Sequence, residues 1–224
     1  MSTSEDRLPT FSIDAIRLFI GLIAFALPAL VTIASSFAPL TSISASYHTG
    51  ARDTFVGLLF VLGAFLFTYK GHEKKEDWMA NLAALGAILA ALFPVPCDGC
   101  KLDTTTTIDA IIHCCGGLTM FSVIAYFCLG PFRKAADAKP DAGAGRRANF
   151  YTFCGWAVIA CIAVIIVGTL TSAFFGLIPN FTFLAEFVML WLFSAAWLVA
   201  SQWLPWFTSK SQRLDVAQEL ELKK

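Results

Sequence analysis

The chain has 224 residues, 57% of them hydrophobic and only 14% charged, with a mean hydropathy of +0.69; soluble domains carry about a quarter charged residues, so that class is excluded. Its 16 Lys and Arg balance 16 Asp and Glu, and no basic block is dense enough for a nucleic-acid partner. The reading is an all-α integral membrane protein.

Six long apolar stretches separate seven connecting segments. Fourteen of the 16 cations fall in alternate segments: Arg7 and Arg17; Lys70, Lys74 and Lys75; Arg133, Lys134, Lys139, Arg146 and Arg147; Lys210, Arg213, Lys223 and Lys224. The other connections hold only Arg52 and Lys101. Cytoplasmic loops retain Lys and Arg, which predicts a six-helix bundle in the inner membrane with both termini cytoplasmic. An N-terminal arm covers residues 1–15, a membrane domain 16–206 and a tail 207–224. The first apolar run is too long for a cleaved signal and is expected to act as a signal anchor.

The first helix is predicted over 16–37, with Ser12 as N-cap, Asp14 in the first turn and a kink at Pro28. The second, 50–70, has only sixteen uncharged residues between Thr54 and Tyr69, so its outer turn must include Arg52 and Asp53 to cross a core of ~30 Å. The third, 78–94, begins after an Asp77 cap and presents Asn81 as a bridge to a neighbour and many small residues for close packing. The fourth, 107–130, carries Asp109 and His113 on one face. Ala135 to Gly145 reads as a flexible linker, and helices over 150–176 and 181–206 form a closing hairpin. Gly57, Gly63, Gly116, Gly117, Gly155 and Gly168 read as close-packing points, and Cys128, Cys154 and Cys161 as core residues.

Ionisable groups inside a bilayer are expensive and mark candidate sites. His113 is placed roughly 9 Å below the outer end of the fourth helix, with Glu186 at similar depth. His48, Arg52 and Asp53, together with Thr169 and Ser172, would converge with them under the outer surface. One chemistry makes His113, Asp53 and Asp109 catalytic. Ser44, Tyr47, Arg52 and Glu186 then bind substrate, Arg52 through paired hydrogen bonds to an anionic head group. A second holds zinc on His48, His113 and Asp53, with an open position for water. The plain alternative has His113 and Glu186 bonding each other as helix glue. Cys97 and Cys100 form a C-x-x-C in an outer loop, either a disulfide staple or a redox pair with Cys114 and Cys115 as resolving partners.

The run Ser42-Ile43-Ser44-Ala45-Ser46-Tyr47-His48-Thr49-Gly50-Ala51-Arg52-Asp53, with Asn81, Cys97-Asp98-Gly99-Cys100 and His113, resembles an uncharacterised family of six-span bacterial membrane proteins. More remotely it is similar to the DRAM and Frag/Sfk-type membrane proteins. The resemblance covers roughly the first 130 residues and implies a fold, the matching positions Arg52, Asp53, Asn81 and His113, and lipid handling at the outer leaflet. Ser44-x3-His48 is also similar to the Ser-x3-His of the alkaline ceramidase and adipoQ-receptor superfamily, although the chain lacks that superfamily's seventh helix and closing His-x3-His.

Three functions follow as expectations. One is a protein whose outer-face pocket binds, and in its enzymatic form hydrolyses or remodels, a membrane lipid. The others are a non-catalytic interaction protein and a thiol oxidoreductase using Cys97 and Cys100. A transporter is disfavoured by the lack of discontinuous helices or midplane charge.

Overall fold

A computed structural model describes residues 12–97, 103–138, 143–171 and 180–204. Among them the structure is all-helical. The long helices are α1 (Ile13–Ala34), α2 (Arg52–Thr68), α3 (Lys74–Leu92), α4 (Thr104–Phe127), α6 (Ala144–Thr171) and α7 (Phe181–Ala200); α5 (Arg133–Asp137) is short. A 3-10 turn, Ser44–His48, leads into α2. Each of the six apolar stretches is helical over most of its described residues, with the described boundaries displaced by a few residues; residues 172–176 and 205–206 of the last two expected helices lie outside the described residues. Most of the expected arm and all of the expected tail lie outside the described residues.

Local chemistry explains the ends. Ser12 caps α1 by accepting from the Ala15 amide at 3.2 Å, and α2 starts at Arg52, as its shortness demanded. Asp77 does not cap α3. The helix begins earlier, after Glu73, and Asp77 accepts from the Gly71 amide at 2.8 Å, closing the turn from α2. Asn81 makes no bridge either, because its Oδ1 is buried without a hydrogen-bond partner. The expected linker from Ala135 is helical at its start and its end. Pro131 lacks an amide proton and crowds the preceding turn, and the helix accommodates it as a π turn over Cys128–Phe132 before continuing to Asp137.

Helix α4 starts at Thr104 because Asp103 and Thr106 form a reciprocal capping box. The Thr106 amide and hydroxyl hold the Asp103 carboxyl below its ordinary value. A carboxylate with a depressed folded-state pKa stabilises above its unfolded pKa and loses that contribution as pH falls through the folded one. Asp103→Ala is therefore expected to lower the thermal midpoint at neutral pH, with the gap to wild type narrowing in acid. A gap independent of pH would show that the charge contributes nothing.

The six long helices close into a ring in which each packs on the next: α1 on α2, α2 on α3, α3 on α4, α4 on α6, α6 on α7 and α7 on α1. The α3–α4 contact is the most extensive. A Cβ on Gly86 would stand 2.5 Å from the Gly116 carbonyl oxygen, and one on Gly116 2.7 Å from that of Gly86, so the two backbones approach as only glycine permits. Gly63 and Gly155 are also close contacts, whereas Gly57 and Gly117 face open space. Cys128 and Cys154 are fully buried, as expected of core thiols.

Outside the ring, large apolar side chains are exposed, among them Phe25, Phe67, Phe153, Trp156 and Leu170. Among the described residues, four helical segments, Ile13–Ala34, Thr104–Asp137, Ala144–Thr171 and Phe181–Ala200, are long and apolar enough to cross a membrane. At one end of the ring Arg17 is buried rather than part of a solvated arm. It donates to Asp14 at 3.2 Å, to the Ala200 carbonyl at 3.3 Å and to the Tyr69 hydroxyl at 3.1 Å. Its guanidinium lies over the Tyr69 and Phe132 rings, which pack with Phe127 and Trp197.

Candidate functional site

The opposite end of the ring holds a cavity of about 430 Å³, within the ~300–1,000 Å³ of ligand pockets. Every long helix contributes to its wall: Leu27 from α1, Leu59 from α2, Ala90 from α3, Phe121 from α4, Ile165 from α6 and Met189 from α7. Most of the lining is aliphatic or aromatic. Along α4 and α6, Leu118, Ile166 and Leu170 both line the cavity and are exposed on the outer surface, so this side faces the surroundings of the bundle through apolar side chains.

The polar lining includes Ser44, His113 and Glu186, joined by hydrogen bonds. His113 lies about 14 Å along α4 from its start at Thr104, deeper than the sequence placed it, because α4 begins earlier than Thr107. The Phe93 carbonyl, at the C-terminal end of α3, is 2.8 Å from His113 Nδ1. A carbonyl only accepts, so Nδ1 carries the proton and donates. The other nitrogen, Nε2, then faces Ser44 Oγ at 2.9 Å. Ser44 Oγ also stands 3.2 Å from Glu186 Oε1, and Glu186 Oε2 accepts from the Ile43 amide at 2.6 Å and the Ser44 amide at 3.4 Å.

One hydroxyl proton cannot serve both of its neighbours. Two placements satisfy every group. In one, a protonated Glu186 donates to Ser44 Oγ, which donates to neutral His113. In the other, Ser44 donates to the Glu186 carboxylate and an imidazolium Nε2–H donates to Ser44. Both hold one proton between Glu186 and His113 and differ by two transfers through Ser44.

The chain is fixed by its surroundings. Thr49 Oγ1 accepts from the Ala51 amide at 3.1 Å and donates to the Ser46 carbonyl at 2.8 Å, shaping the turn that carries Ser44. His48 Nε2 bonds the Val95 carbonyl at 2.6 Å, tying that turn to the segment bearing Phe93. The Phe183 amide donates to the Thr41 carbonyl at 3.1 Å, holding the start of α7 against the same loop.

The other expected residues separate from this centre. Asp53 is exposed at the start of α2 and Asp109 half-buried on α4, and neither bonds His113, whose nitrogens are taken by Phe93 and Ser44. The Asp-x3-His spacing put Asp109 and His113 on one face but one turn apart in depth. Arg52 is an exposed cation that donates to the Tyr47 hydroxyl at 2.9 Å and stacks on that ring; neither residue lines the cavity. Thr169 does line it, and Ser172 lies outside the described residues.

The expected zinc set does not assemble, because His48 bonds a backbone carbonyl, His113 is saturated and Asp53 faces out. Among the described residues no three His, Cys, Asp or Glu side chains form a group able to hold a metal ion. His113 and Glu186 do not bond directly, as the glue reading had it; Ser44 stands between them. Of the Cys97 and Cys100 pair, Cys100 falls outside the described residues. Cys114 and Cys115 are exposed free thiols on α4.

Sequence reasoning missed the Phe93 carbonyl and placed Ser44 as a substrate contact only. A backbone acceptor has no signature in side-chain identity, whereas Ser44 already stood out in the Ser-x3-His run. The architecture defines the class as an all-helical bundle with several segments suited to a membrane. No family model, curated protein or solved structure matches the chain.

Proposed function

We propose that this protein is a six-span inner-membrane protein that takes the hydrocarbon chain of a membrane lipid into the ring and hydrolyses or remodels that lipid at the Ser44–His113–Glu186 end. The observation that carries the reading is an apolar cavity of about 430 Å³ that touches all six long helices and ends on convergent polar groups, the composition of a ligand site. Its apolar α4–α6 side offers lateral entry from a bilayer. The resemblance of the Ser42 to Asp53 run to lipid-handling membrane families supports the same conclusion.

The six-span part of the proposal rests on packing. Helices α2 and α3 have 17 and 19 residues, about 26 and 28 Å at 1.5 Å per residue, close to the ~30 Å hydrocarbon core. They are integral members of the ring. With six crossings both termini fall on one side, and the cation distribution makes it the cytoplasmic one, which puts the cavity toward the outer leaflet.

Gly117 supplies the test. It lines the cavity, and a Cβ there meets nothing within 4 Å, so the side chain of Gly117→Leu would start into open space at the cavity wall. Wild type in native membranes is expected to crosslink to a diazirine-bearing phospholipid. The variant should crosslink much less while keeping the wild-type melting midpoint. Equal crosslinking in the two would place the lipid elsewhere and overturn the reading.

A further inference from the structure

We infer that Ser44 is a nucleophile with His113 as its base, and that the substrate is a lipid carrying a carboxylic ester whose chain fills the cavity; the inference rests on the lipid reading above. Three observations carry it. Ser44 Oγ lies 2.9 Å from His113 Nε2, within the reach of a nucleophile and its base. The Phe93 carbonyl, 2.8 Å from Nδ1, fixes the tautomer that leaves the Nε2 lone pair facing the hydroxyl, the orienting role a third group plays in such arrangements. Both side chains are buried at the wall of an apolar cavity, where an acyl carbonyl would meet Oγ with little competing water.

The chemistry balances without a further cofactor. Ser44 Oγ adds to the ester carbonyl carbon while its proton passes to Nε2. The bond from that carbon to the alcohol oxygen then breaks, and Nε2 returns the proton to the departing alkoxide, leaving the acyl group esterified to Ser44. Water, or a second lipid alcohol, adds to the acyl carbon, gives its proton to Nε2, and the Oγ–C bond breaks as Oγ takes that proton back. With water the products are an alcohol and a free acid; with a second alcohol the acyl group is transferred.

Glu186 has a defined part in the same step. Its Oε2 is held by the Ile43 and Ser44 amides, which leaves Oε1 3.2 Å from Oγ. In the proton placement where Ser44 donates to His113, Oε1 bears the proton and donates to Oγ; once Oγ is bonded to the acyl carbon, that O–H is released to donate to the former carbonyl oxygen, where negative charge develops. An acid kept neutral in an apolar site to donate such a hydrogen bond is an established device. Glu186→Gln retains both an acceptor for the amides and a donor toward Oγ; Glu186→Ala retains neither.

The test is a long-chain alkyl fluorophosphonate applied to full-length protein in native membranes, with peptide mass mapping of the adduct. Wild type is expected to carry one phosphonyl group on Ser44. The labelling rate should fall by about 10²-fold or more without the base in His113→Ala, vanish in Ser44→Ala, drop in Glu186→Ala and persist in Glu186→Gln. Mapping on wild type needs no variant to fold. The diazirine-lipid crosslink is read in parallel. Crosslinked wild type with no adduct on Ser44 overturns the nucleophile and leaves the lipid reading standing. An adduct on Ser44 in a protein that crosslinks no lipid supports the nucleophile and overturns the lipid substrate.

Discussion

Arg17→Ala should lower the stability of the bundle by about 3–5 kcal/mol, the usual consequence of removing one partner from a buried charged network. Arg17 is 7% exposed and joins three elements: Asp14 on its own helix, Tyr69 just after α2 and the Ala200 carbonyl at the end of α7. Alanine would leave the fully buried Tyr69 hydroxyl without its donor and open a space between the Tyr69 and Phe132 rings. Arg17→Lys should be intermediate, since an ammonium keeps the charge but loses the planar fork and the stacking. Thermal unfolding in mild detergent, followed by tryptophan fluorescence, reads the effect directly because Trp197 sits in the same aromatic cluster. A change within about 0.5 kcal/mol, typical of surface positions, would show that this guanidinium is not a tie between helices.

The second large effect is expected at Gly116. Gly116→Leu forces a side chain against the Gly86 carbonyl, the Leu89 Cβ and the Ala90 amide, all within 3.1 Å of where a Cβ would stand. Two of these are backbone atoms, so relief requires α3 and α4 to separate, at a cost of about 1–3 kcal/mol or more. The damage should reach the site, because His113 on α4 is oriented by the Phe93 carbonyl at the end of α3. Gly116→Leu is therefore expected to lower the melting midpoint and abolish labelling of Ser44 together. Its neighbour Gly117→Leu should leave the midpoint intact. Equal midpoints for the two variants would mean that the α3–α4 approach tolerates a side chain and that the ring is looser than its geometry implies.

Much of the fold was legible in the chain. Long apolar stretches bounded by charge or proline become helices wherever they occur, because an unpaired backbone is costly in apolar surroundings. Ser12 could be assigned as a cap because capping acts between a residue and the amides two or three positions on. Errors arose where local signals competed. Asp77 has a capping residue's chemistry, yet Gly71 claimed its carboxylate, so α3 extended back through the charged residues from Lys74. The fourth helix was expected to end at residue 130, yet a π turn carries the chain past Pro131 into further helix.

The site was legible only as a set of residues. His113, Ser44 and Glu186 were all singled out, but so were Asp53, Asp109, His48 and Arg52, and nothing in their spacing separates the two groups. Sequence by itself determined which segments are helical and that their outer faces are apolar, since both follow from composition within a few residues. Tertiary structure alone decided that the helices close into a ring around a cavity, that Arg17 turns inward and that Ser44 meets His113 across 69 positions and Glu186 across 142. The physical reason is range. Hydropathy and capping act over one or two turns, whereas a hydrogen bond between distant helices depends on their rotation and depth, which are set by close contacts such as Gly86 against Gly116.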